Sequence, residues 1–154
     1  MWTLLIAFAI AGVNPHCENA LVAAPFNLEL GQQKVSLRKP LINRMSGARL
    51  ILFTRDSANG ASSTDSLAEF QNTYPVGTVE AVATTKDQEQ ARLVHTGYSY
   101  YKGAQGIVLT LAAAQLSTGI FTGLDIESTI KMSNVKAVWI DRGSIDVRDL
   151  APSL

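Results

Sequence analysis

The chain has 154 residues, with 13 basic and 13 acidic side chains, two histidines and a single cysteine. This length suffices for one domain with its own hydrophobic core. The even charge balance indicates neither nucleic acid nor an acidic membrane surface as a partner. A single cysteine excludes a disulfide framework and a zinc site built on several thiolates.

The N-terminal segment is apolar, since residues 2–13 carry no charge and the first charged side chain is Glu18. A run of about 12 such residues matches the central region of a secretory signal peptide and is too short to span a membrane. We therefore predict that residues 1–24 are a signal peptide, which is cut off near residue 23. The alternatives are a buried first element of the domain and a retained membrane anchor.

The predicted leader also contains Cys17, so the mature protein would have no thiol. Export of a domain without disulfides points to a bacterial envelope rather than to an animal extracellular module. The predicted location is therefore periplasmic or secreted, with no stable membrane insertion after processing.

Beyond the leader, residues 25–154 are predicted to form a single domain of β-strands. Apolar and polar residues alternate with a period of two over residues 26–30, 34–38, 107–111 and 124–130. Residues 26–38 predict a first hairpin, and residues 78–96 predict a second one across a charged turn. Residues 50–53 are apolar throughout, as in a central strand covered on both faces. Short helices are predicted at most at residues 64–70 and 111–116.

Eight or nine short strands predict an all-β fold, with an antiparallel β-sandwich as first choice and a barrel as second. The apolar members of the alternating segments are expected to face the core. These residues are Leu28, Val35, Leu37, Leu50, Leu52, Val79, Leu109, Leu124, Ile126, Val138, Ile140 and Val147.

Residues 95–106 form the densest candidate for a binding site. They hold three of the four tyrosines, three glycines and the one histidine that lies outside the predicted leader. Tyrosine offers a large contact area, few rotatable bonds and one hydroxyl. We predict a contact with a protein or glycan partner through His95, Tyr98, Tyr100, Tyr101 and Lys102. The alternative is that these aromatic residues pack the rim of the domain around glycine turns.

Catalytic and metal-binding patterns are weak. Asp125 and Glu127 lie two positions apart and share a strand face, which the flanking apolar residues mark as the solvent face. A polar loop at residues 56–65 supplies oxygen ligands for calcium, but its spacing matches no EF-hand. His95 has no second histidine and no nucleophile motif beside it. We therefore predict no catalytic residue, no cofactor and no metal.

Together these patterns favour an exported, non-enzymatic binding module: an inhibitor, an immunity-type protein or a recognition domain. Small size, a β-rich pattern and a tyrosine-rich segment all fit this class. The alternative is a small envelope hydrolase that uses a carboxylate or histidine site.

Overall fold

The computed structural model describes residues 21–44, 47–54, 79–101, 106–113 and 116–141. Over these residues the chain forms nine strands, and every pairing between them is antiparallel. The strands are β1 (Phe26–Leu28), β2 (Gly31–Val35), β3 (Leu41–Asn43), β4 (Arg49–Thr54), β5 (Val79–Thr85), β6 (Gln90–Tyr101), β7 (Gly106–Ala112), β8 (Gly119–Ser128) and β9 (Met132–Ile140). The predicted all-β, antiparallel class is confirmed.

One predicted helix is wrong in the part that the structure describes. The sequence predicts that a short helix begins at Leu111 and Ala112, but these are the last residues of β7. Leu111 pairs with Leu50 on one side and with His95 on the other. Sheet pairing on both sides outweighs the local helix preference of an alanine-rich segment. The other predicted helix, at residues 64–70, lies outside the described residues.

The nine strands belong to one sheet with the order β1-β9-β4-β7-β6-β5-β8-β2, in which β3 also pairs with β8. Its two terminal strands, β1 and β2, are consecutive in the chain. The turn of the predicted first hairpin is present, yet β1 pairs with β9 and β2 pairs with β8. The two arms approach each other again at an isolated bridge between Ala23 and Leu37. The sheet is therefore nearly closed and barrel-like.

Further contacts join β9 to the opposite edge of the sheet. The indole Nε1 of Trp139 donates a hydrogen bond of 2.9 Å to the carbonyl oxygen of Ile42 in β3. The backbone N–H of Arg44 donates a bond of 2.8 Å to Oδ1 of Asp141. These contacts extend the closure beyond the β1–β2 hairpin.

The enclosed face of the sheet forms one hydrophobic cluster. All predicted core residues that the structure describes are buried, except Leu37, which is partly buried and packs against the cluster. Val147 lies outside the described residues. The alternation of apolar residues therefore assigned the inward face correctly along most strands. β9 is the exception, because Val138 and Ile140 are buried on the other face and the enclosed cluster takes Val135 and Ala137 from this strand.

β4 is buried on both faces, as the continuous apolar run predicted. Leu50 and Leu52 belong to the enclosed cluster, whereas Ile51 and Phe53 point the other way and are at most 1% exposed. Val138 of β9 lies opposite Ile51 and is likewise buried. β4 is thus the central strand of its part of the sheet.

Candidate functional site

The antiparallel order brings turns that are distant in sequence to the same end of the sheet. β6 ends at Tyr101 and β7 begins at Gly106, which is its partner. The β1–β2 turn (residues 28–31), the β8–β9 turn (residues 128–132) and the last residue of β4, Thr54, lie at this same end. We call this end of the sheet the tyrosine end.

A β-bulge in β6 sets the register of the tyrosine-bearing residues. His95 pairs with Leu111 and Gly97 pairs with Thr110, so β6 contains one residue more than β7 between these two pairs. An extra residue reverses the alternation of faces beyond it. The hydroxyl of Thr96, at the bulge, donates a bond of 3.3 Å to the carbonyl oxygen of Thr110.

Beyond the bulge, Tyr98 pairs with Leu109, Tyr100 with Ile107, and Tyr101 with Gly106. Residues opposite one another on antiparallel strands share a face. The backbone positions of Tyr98 and Tyr100 therefore belong to the face of the buried Leu109, and the position of Tyr101 belongs to the other face. The side chains of these three tyrosines lie outside the described part of the structure, as does all of Lys102.

His95 is only 1% exposed. It lies on the enclosed side of β6, opposite the buried Leu111. A side chain that is buried to this extent offers no surface to a partner. His95, one of the predicted binding residues, therefore belongs to the interior of the protein.

The β1–β2 turn at the tyrosine end is held by one side chain. Oε1 of Gln33 accepts a bond of 2.7 Å from the N–H of Glu29, and its Nε2 donates one of 2.9 Å to the carbonyl oxygen of Asn27. Gly31 follows with a φ of +88°, which favours glycine. Between these residues Leu30 is 59% exposed, the largest value among the exposed apolar side chains described.

The β8–β9 turn at this end is also tightly bonded. The hydroxyl of Ser128 accepts a bond of 3.1 Å from the N–H of Ile130 and donates one of 2.7 Å to its carbonyl oxygen. Lys131 of this turn forms an ion pair of 3.6 Å with Glu29 of the β1–β2 turn. The two turns are therefore neighbours, and they present charged and apolar groups side by side.

The carboxylates singled out in the sequence lie on the outer face of the sheet. Asp125 is opposite Lys34 and Glu127 is opposite Glu80. Glu127 is exposed, and Asp125 is partly exposed. Glu80 accepts a bond of 3.0 Å from Nε of Arg92. The arrangement is that of a solvated strand face, as the sequence predicted.

Metal and membrane signals are absent from the part of the chain that the structure describes. There, no three His, Cys, Asp or Glu side chains come together as metal ligands do. The described segments also contain no helix of the length and apolarity needed to span a bilayer. The candidate calcium loop at residues 56–65 lies outside those segments.

Comparison with known proteins assigns no family to this chain. No family model matches it, and no curated protein or solved structure is significantly similar to it.

Proposed function

We propose that this chain is an exported, non-enzymatic binding module that holds a protein or glycan partner at the tyrosine end. An inhibitor, an immunity-type protein and a recognition domain all belong to this class. The observation that carries the proposal is the convergence of three turns on one end of a rigid sheet. Binding residues are disproportionately found on loops that a rigid scaffold positions in this way.

The chemistry of this end supports contact with a partner. It combines the end of the tyrosine-bearing strand with the exposed Leu30 and the Glu29–Lys131 ion pair. Interfaces are enriched in aromatic side chains at their centre and have a polar, solvent-accessible rim, where an ion pair such as Glu29–Lys131 can be accommodated. His95 is buried and lies further from the tyrosine end, whereas the backbone of β6 beyond it reaches that end at Tyr101. We therefore assign the contact to Leu30, Tyr98, Tyr100, Tyr101 and Lys102.

The test begins by identifying the partner. The tagged protein is incubated with native envelope extract and, separately, with an array of printed glycans. Affinity for the captured molecule is then measured for single Tyr98→Ala, Tyr100→Ala and Tyr101→Ala variants that melt like the wild type. Loss of an anchoring aromatic side chain costs about 2 kcal/mol, which is about 30-fold in affinity.

A matched pair of aliphatic variants locates the site. Leu30 at the tyrosine end and Ile120 near the opposite end are exposed to a similar degree, 59% and 55%. Leu30→Ala should weaken binding, whereas Ile120→Ala should leave it unchanged. The proposal is wrong if all three tyrosine variants bind like the wild type. It is also wrong if Ile120→Ala weakens binding as strongly as Leu30→Ala does.

A further inference from the structure

Residues 21–23 are an integral part of the nearly closed sheet. Leu21, Val22 and Ala23 are 9%, 1% and 2% exposed, whereas the next two residues, Ala24 and Pro25, are exposed. Val22 and Ala23 belong to the main hydrophobic cluster. Their burial is that of core residues rather than of a peptide lying on the surface.

These residues also bond to both edges that close the sheet. On one side, Leu21 bridges to Val138, and the N–H of Val22 donates a bond of 3.0 Å to the carbonyl oxygen of Ala137. On the other side, the carbonyl oxygen of Val22 accepts a bond of 2.7 Å from the N–H of Arg38. Without Val22, the carbonyl of Ala137 and the N–H of Arg38 would both lose these partners, and the loss is costly at Ala137, which is 1% exposed.

We propose that residues 21–23 belong to the folded domain and remain in the mature protein. Any cut made during export then lies before Leu21, rather than near residue 23 as the sequence pattern predicts.

The test compares the same substitution at two neighbouring positions of the full-length chain, Ala23→Asp and Ala24→Asp. Both variants and the wild type are expressed with the complete N-terminal segment, and the exported protein is recovered. Intact mass gives the first residue and shows whether the substituted residue is retained. A melting curve then gives Tm for each protein.

We expect all three masses to place the N-terminus at or before Leu21. A buried carboxylate should lower Tm of the Ala23→Asp protein by about 10 °C or more. The exposed Asp at position 24 should leave Tm unchanged. If Ala23→Asp does not fold, Val22→Ala keeps both backbone bonds, removes buried methyl groups and should lower Tm by several degrees.

Two results would overturn the proposal. One is a folded, exported wild-type protein whose mass begins after Ala23. The other is that the Ala23→Asp and Ala24→Asp proteins both retain the substituted residue and change Tm by the same amount. A mass that begins at Met1 means that no cut occurs, and the melting comparison then decides on its own. Binding at the tyrosine end does not enter either measurement.

Discussion

At the scale of single residues, Asn43 is the buried polar group with the clearest structural task. It is 2% exposed, and its Nδ2 donates bonds to the carbonyl oxygens of Leu116 at 3.2 Å and Ser117 at 2.8 Å. These two carbonyls belong to the chain that leads from β7 to β8. Asn43 therefore fixes that connection to the end of β3.

We expect Asn43→Ala to lower the free energy of unfolding by about 1–3 kcal/mol, because two carbonyls lose their donor, one of them in a buried and one in a partly buried position. The control is Arg44→Ala at the next position. The Arg44 side chain is 58% exposed and forms an ion pair of 3.8 Å with Asp141, so its loss should cost at most about 1 kcal/mol. Urea unfolding of both variants measures the difference, and equal values would show that the Asn43 amide contributes little.

At the scale of elements, the β1–β2 hairpin is unusual because its two strands pair with other strands and not with each other. β1 forms an antiparallel pair with β9, and β2 forms one with β8. The side chain of Gln33 supplies bonds that a regular hairpin would take from the backbone of the opposite arm. One side chain thus holds the turn that carries Leu30.

Gln33→Ala should therefore destabilise the protein by about 1–2 kcal/mol, the net value of two hydrogen bonds. Gln32→Ala is the matched control, because Gln32 is the preceding residue of the same strand and is exposed. Thermal melting should show a shift of several degrees for Gln33→Ala and almost none for Gln32→Ala. Similar shifts for the two variants would remove the proposed role of Gln33.

The sequence predicts the individual strands better than it predicts which strands pair. A period of two depends on local chemistry, so it predicted strands β5 and β6, their hairpin and the inward side chains such as Leu124 and Ile126. Choice of partner strand depends on distant residues, and so the outward pairing of β1 and β2 was not predictable from their own residues. The bulge in β6 inserts one residue of ordinary strand composition, so no residue type at Thr96 indicates that the faces reverse beyond it.

The candidate site was predictable only in part. The cluster of tyrosines pointed to one segment, and the alternation placed Tyr98 and Tyr100 on one face and Tyr101 on the other, in agreement with the backbone register. Exposed Leu30 was not identified as a neighbour, because only the strand order brings its turn to the same end. The burial of His95 was also not predicted, because histidine occurs both on buried and on exposed strand faces.

At the scale of the whole molecule, closure of the sheet depends on a few contacts between its edges. The Trp139 indole contributes both a hydrogen bond to Ile42 and packing against Phe121, with ring centroids 6.4 Å apart. The hydrogen bond and the aromatic packing can be separated, because phenylalanine keeps the aromatic ring and lacks the N–H.

Trp139→Phe is expected to cost about 0.5–1.5 kcal/mol for the lost hydrogen bond. Trp139→Ala removes the ring as well and should cost more, up to about 3–5 kcal/mol, the range for a fully buried aromatic side chain, since Trp139 is partly buried. Chemical denaturation followed by far-UV circular dichroism measures both values. If Trp139→Phe is as destabilising as Trp139→Ala, the bond rather than the packing dominates this part of the closure.

The pairing of residues 21–23 with β9 has a consequence for how the protein folds during synthesis. Residues near Leu21 leave the ribosome well before their partners in β9, such as Val138, which lie far downstream in the chain. Pairings between such distant segments form late and slowly, because a long loop must be ordered first. The emerging chain thus lacks a strand that the nearly closed sheet requires until β9 has been made. A polypeptide that crosses a membrane must be unfolded while it does so. This delay in strand pairing would keep the chain unfolded, and so competent for transport, until β9 can pair.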